Sequence, residues 1–195
     1  MQVSNAKEYV IENGVLYKYL GKGGRVVIPE GVITIKADVF TDSGIQVTTI
    51  VLPESLQHSE KSLFWWRKSL KKIEAPSKKV YNLVYNNLDA QQKMAILQKA
   101  LKDRDTDPNV ISKIVANKKK LIALAIKKED EPTVEHIFSL LKNVTMEQLD
   151  ELIQMSEKSP RFRMVFMEYK NRLYPPDVQE RKRERQIQKE LEFSL

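Results

Sequence analysis

Cysteine is absent from the 195-residue chain. Disulfides, thiolate nucleophiles and cysteine-based zinc sites are therefore excluded, and a reducing compartment is easily accommodated. Histidine occurs twice, as His58 and His136, one in each half. His136 has no second histidine three or four residues away, so the zinc-protease spacing is missing, and a lone surface or core-edge histidine fits it. No apolar run reaches the roughly 18 residues a membrane-spanning helix needs. Met1 to Glu8 holds no basic segment followed by an apolar one, which leaves no secretory signal to read there. Glycine is scarce and lopsided: six in all, none after Gly44.

Apolar residues make up 42% of the chain and charged residues 30%, enough for a real core and too apolar for wholesale disorder. The net charge is +7. From Lys61 to Lys79 seven basic residues (Lys61, Arg67, Lys68, Lys71, Lys72, Lys78, Lys79) face a single acid, Glu74, so most of the excess lies in one stretch. Trp65 and Trp66 sit inside it.

The region from Val26 to Pro76 repeats itself. Val26-Val27-Ile28-Pro29 returns as Ile50-Val51-Leu52-Pro53 and again as Ile73-Glu74-Ala75-Pro76, with prolines 24 and 23 residues apart. Val32, Val39 and Phe40 match Leu56, Leu63 and Phe64. A period in the low twenties predicts a solenoid in which stacked coils bury what one coil cannot. Pro29 and Pro53 cannot donate to a strand ladder and belong at strand ends. Before the repeats, Tyr9-Val10-Ile11 and Val15 to Tyr19 read as a hairpin turned at Asn13-Gly14, which caps the first coil. Gly21, Gly23 and Gly24 then break the strand as a plain turn, since the phosphate-cradling Gly-Lys-Ser/Thr ending is missing.

The segment Ile28-Pro29-Glu30-Gly31-Val32-Ile33-Thr34-Ile35-Lys36-Ala37-Asp38-Val39-Phe40 resembles the BspA-type leucine-rich repeat. The lead-in Asn13-Gly14-Val15-Leu16 with Tyr19 and Gly21 is similar to that family's first hairpin. The second copy departs from the pattern, with Ser59 in place of isoleucine, Glu60 in place of glycine, and Trp65-Trp66-Arg67-Lys68 in place of a small polar turn. The resemblance spans about residues 8 to 76. It implies a fold and is nearly silent on activity.

Beyond Pro76 the apolar spacing changes to the helical period. Val80, Leu83, Val84 and Leu88 share one face. Asp89-Ala90-Gln91-Gln92 and Thr145-Met146-Glu147-Gln148 are capping-box patterns. Asp107-Pro108, Pro132 and Ser159-Pro160 mark further starts, and Asn117 can cap a helix over Lys118 to Lys128. Lys119 to Asn143 followed by Asp150 to Asn171 loosely resembles ankyrin-like helical pairs, although the Thr-Pro-Leu-His opening is absent; an antiparallel bundle is the alternative. A β-repeat segment followed by such a helical tail is similar to uncharacterised bacterial leucine-rich repeat proteins. The last segment, Asp177 to Leu195, balances five basic against five acidic residues and reads as a solvated helix, or as a helix that docks a partner or a second copy.

Little in the chain suggests catalysis. Asp103, Asp105 and Asp107 alternate like a calcium loop, but Pro108 stands where that loop needs glycine and Ile114 where it needs glutamate. Glu129-Asp130-Glu131 suits the positive end of the following helix. There is no Gly-x-Ser-x-Gly elbow. No cofactor or metal is implied, and no catalytic residue is assigned.

The sequence thus predicts an α+β protein: a short leucine-rich-repeat β-solenoid with an N-terminal hairpin cap over residues 1–76, then an all-helical repeat or bundle over residues 77–195. The expected role is a non-catalytic protein-interaction or scaffold module at a cytoplasmic location; a leader lying upstream would allow the cell surface instead. Candidate partner-binding residues are Trp65, Trp66, Arg67, Lys68, Lys71, Lys72, Lys78 and Lys79. With Leu70 and Ile73 facing the core, Lys71 and Lys72 face out. Clustered cations beside aromatics also suit a nucleic acid or another polyanion, bound through residues 61–79 and Lys118 to Lys120. The plain alternative buries the two tryptophans and leaves the lysines simply solvated.

Overall fold

The structure is a computed structural model that describes residues 8–40, 45–60 and 69–192. Trp65, Trp66, Arg67 and Lys68 lie outside the described residues, as do Lys61, Leu63 and Phe64. Strands come first: β1 (Tyr9–Glu12), β2 (Val15–Tyr19), β3 (Gly23–Val27), β4 (Thr34–Ile35), β5 (Gln46–Val51), β6 (His58–Ser59) and β7 (Lys72–Glu74). Helices complete the chain: α1 (Lys78–Tyr85), α2 (Ala90–Asp103), α3 (Pro108–Ala116), α4 (Lys118–Lys127), α5 (Glu131–Leu140), α6 (Met146–Met155), α7 (Pro160–Leu173) and α8 (Pro176–Glu192). The class is α+β. Packing divides the chain into two compact units, Met1–Asn117 and Lys118–Leu195. The change from strand to helix at residues 75–77 therefore falls within the first unit.

The hairpin forms where the sequence places it. β1 and β2 pair antiparallel, and Asn13 and Gly14 both take positive φ, 50° and 76°, as a tight turn between right-twisted strands demands. The Tyr9 hydroxyl donates to the Val27 carbonyl at 2.6 Å, tying the hairpin to β3.

The internal repeat sets strand register. β3, β5 and β7 pair in parallel, with Val26 opposite Ile50 and Ile50 opposite Ile73. All three are buried, as are Leu16 and Ile35 across the second sheet. That sheet runs β1-β2-β4-β6, and β4 and β6 contribute two residues each. Pro29 and Pro53 come after β3 and β5, where no ladder donor is lost. Gly23 and Gly24 are corrected from a strand-breaking turn to the first residues of β3. Gly23 has φ 86°, and a Cβ there would meet the Gln46 carbonyl oxygen at 2.6 Å, so only glycine lets β3 approach β5 so closely.

The expectation of a leucine-rich-repeat solenoid is overturned. The described residues make two short sheets of four and three strands rather than a continuing coil. The physical reason lies in the small number of repeats and in the helix that succeeds them. A solenoid needs about three repeats to bury its own faces, and only two periods separate Pro29 from Pro76. After β7 the chain turns helical at Ser77, whose side chain accepts from the Val80 amide. α1 then packs on β6 and β7 with Val80, Tyr81, Val84 and Tyr85 buried. Asn87 fastens this junction, its amide donating at 2.9 Å both to the Ser59 carbonyl of β6 and to the Leu83 carbonyl of α1. A helix covers the apolar end that another coil would have covered.

α2 and α3 complete the first unit. Asp89 and Gln92 close the expected capping box, and Asp107 accepts from the Asn109 amide ahead of Pro108. Asn117 is corrected from a start signal for α4 to an end signal for α3, its side-chain amide donating to the Lys113 carbonyl. In the second unit α4 packs with α5 and α6 with α7, burying Leu121, Ile122, Val134, Ile137, Leu149, Phe162 and Phe166. Thr145 and Gln148 close the other capping box. Ser159 is the N-cap residue of α7 without a capping side-chain bond, and α5 starts one residue earlier than expected, at Glu131 after Asp130. Lys170 of α7 is only 7% exposed, and its ammonium pairs with Asp150 of α6. α8 buries no residue.

These contacts set two expectations. Asn87→Ala removes both side-chain bonds that join α1 to β6 and lowers stability by about 1–3 kcal/mol, read from urea unfolding. In the second unit, Asp150→Ala is more damaging than Lys170→Met. The first strands a buried ammonium, whereas the second replaces it with an apolar chain of similar length. Equal losses in the two variants would show that the pair carries no such asymmetry.

Candidate interaction surface

The strand pattern that buries Val26, Ile50 and Ile73 turns their neighbours outward. Arg25 of β3, Thr49 of β5 and Lys72 of β7 stand in register as one row, and Val27, Val51 and Glu74 as the next. Leu70 and Ile73 are buried while Lys71 and Lys72 are half-buried, which matches the expected facing of this strand.

The outer row is a mixed-charge network rather than a field of free cations. Arg25 donates to the Glu74 carboxylate at 2.5 Å. Lys72 lies 3.9 Å from Glu74 and 3.4 Å from Asp105, which reaches in from the α2–α3 connection. Arg25 does not stand out in the sequence, and Asp105 does so only through the calcium-like spacing, because the strand register and the helix turn that bring them to Lys72 are tertiary. The calcium-like spacing is also explained locally. Asp103 pairs with Lys99, Asp105 accepts from the Asp107 amide, and Asp107 caps α3. Among the described residues no group of three or more metal-ligating side chains is assembled, and no helix is long and apolar enough to cross a membrane.

Lys78 and Lys79 are exposed at the first two positions of α1, a turn that contains no acid. Cations there oppose the positive end of the helix dipole. Next to them is a feature the sequence did not reveal: Lys113 of α3 and Lys93 of α2 both lie over the Tyr85 ring, with Nζ 4.9 and 5.8 Å from its centroid. Burial, with the charges of Lys78 and Lys93 in second place, holds the Lys113 amine below its ordinary range. The Tyr85 ring stacks on Tyr81 at 5.4 Å. Burial pushes both phenols up, and for Tyr81 the neighbouring Tyr85, Asp107 and Asp105 add to it. Tyr9 is pushed up to about 12, chiefly by burial and then by Tyr19 and Glu8.

His58 is exposed at the end of the first sheet, and His136 lies on α5 with Ser139 one turn on. The two histidines belong to different units. Lys118 to Lys120 open α4, where Lys119 pairs with Glu151. No family model, no curated protein and no solved structure matches the chain.

The raised phenol pKa values dictate an alkaline limit. A group whose folded pKa lies above its unfolded value contributes stability below about pH 10 and loses it as pH climbs through the folded value. Unfolding above pH 10, monitored by circular dichroism, is expected to shift to higher pH in a Tyr9→Phe/Tyr81→Phe variant. An unchanged alkaline midpoint would remove these phenols as its cause.

Proposed function

We propose that the chain is a non-catalytic protein-interaction or scaffold module that engages its partner on the outer face of β3, β5 and β7 and the adjoining start of α1. The supporting observation is the row Arg25, Glu74, Lys72 and Asp105, whose ion pairs hold side chains of both signs over a buried strand core. The largely exposed Arg25–Glu74 pair adds little stability. A fixed pattern of opposite charges contributes most to partner choice and orientation. Lys71, Lys78 and Lys79 border it, and the stretch containing Trp65, Trp66, Arg67 and Lys68 leads into it along the chain. A cytoplasmic location belongs to the same reading and accords with the lack of cysteine.

A second reading, a nucleic acid or other polyanion bound through residues 61–79, is favoured by one observation: Lys78 and Lys79 are exposed at a helix start with no acid beside them.

One variant separates the two. Lys71→Glu/Lys78→Glu/Lys79→Glu is compared with the unaltered chain and with Lys189→Glu on α8. The protein-interaction reading expects a saturable protein partner retained at physiological salt, lost in the triple variant and kept in the control. The polyanion reading expects binding to a mixed-sequence duplex or single strand that falls steeply with salt and vanishes in the triple variant. Identical partners for all three proteins would sink the proposed surface.

A further inference from the structure

Two helices of the first unit each bring one lysine to the same aromatic ring. Lys78 begins α1, Lys93 lies on the first turn of α2, and Lys113 lies near the end of α3. Lys93 and Lys113 share the Tyr85 ring, so their ammonium groups are no farther apart than the sum of their distances to its centre. The charge of Lys78 is among the causes, after burial, that hold the Lys113 amine below its ordinary range. Among the described residues no carboxylate lies within ion-pair distance of any of the three. Gathering like charges with no ion-pair partner is unfavourable in a folded protein, and the ring face offsets only part of it.

The hydrogen bonds point the same way. An ammonium group has three donors. Lys93 uses one, on the Asn86 carbonyl at 3.1 Å. A ligand that meets the remaining donors must carry several acceptors and more than one negative charge in a small volume. Phosphate oxygens do so, and a single carboxylate does not. The ring itself is not a stacking platform for a nucleobase: Tyr85 is only 5% exposed and already lies against Tyr81.

We propose that Lys93 and Lys113, which meet over Tyr85, form a binding site for a compact, multiply charged oxyanion of the phosphate class. The site goes beyond the strand-face reading and does not depend on it, since Lys93 and Lys113 take no part in that face. It gives the crowded lysines a purpose, because a bound anion converts mutual repulsion into shared attraction.

The test uses inorganic pyrophosphate on the full chain at constant ionic strength balanced with chloride. Two signals are monitored, the thermal midpoint and the titration of the lysine side chains by nuclear magnetic resonance. The expected result is a saturable rise in the midpoint, because a ligand that binds only the folded state stabilises it. An upward shift of the Lys113 titration should accompany it. Lys93→Gln and Lys113→Gln should each weaken binding about tenfold, the loss of one charge-assisted contact. Lys113→Gln also relieves like-charge crowding, so without pyrophosphate its midpoint should be no lower than that of the unaltered chain, and poor folding would not mimic lost binding. A linear, unsaturable response would overturn the site, as would an undiminished response in both glutamine variants. Binding of a single-stranded oligonucleotide with no pyrophosphate response would also overturn it and return attention to residues 61–79.

Discussion

The first unit depends on the side-by-side burial of Val26, Ile50 and Ile73 on three parallel strands. Because side chains alternate along a strand, placing these three inward forces Arg25, Thr49 and Lys72 outward on one side and Val27, Val51 and Glu74 on the other. A slip of one residue in any strand would bury a charge or a polar group and expose an apolar side chain, so the register is strongly specified. The same constraint locates the prolines just past β3 and β5 and requires Gly23 where two backbones meet.

The repeat ends for a reason as physical as the one that builds it. Two periods end at β6 and β7, and α1 covers that end with two tyrosines and two valines. The Asn87 amide then meets backbone carbonyls on both the strand and the helix side, satisfying acceptors at a junction where two kinds of secondary structure abut. In the second unit the analogous fastening is electrostatic, with Lys170 buried along its length and paired to Asp150 at its tip.

The positive charge is distributed by this architecture into two environments. Along the strands Lys72 is balanced by Glu74 and Asp105, which turns a basic sequence stretch into a mixed-charge surface. At the helices Lys93 and Lys113 are left together over an aromatic ring, and the charge of Lys78 acts on Lys113. A net charge of +7 would not distinguish the two. The distinction rests on which carboxylates the fold brings within reach, and it separates a face suited to a protein partner from a cluster of charge suited to a small anion.

Much of the local structure was legible in the chain. Asn13-Gly14 encodes the hairpin, the proline-marked period encodes the pairing of Val26 with Ile50 and Ile73, and Asp89/Gln92 and Thr145/Gln148 encode two helix starts, because each depends on residues close in sequence or repeated at a constant interval. Asn117 misled, because one side chain can cap the helix before it or the helix after it, and neighbouring packing decides which. The solenoid expectation failed for a related reason: periodicity specifies how repeats pair but not whether a further coil or a helix closes the array. By itself the sequence determined which residues turn inward and which turn outward. Only the tertiary structure decided that Asp105 neutralises Lys72 and that Lys93 and Lys113 meet over Tyr85, since Coulomb interactions act through space between groups that chain spacing does not relate.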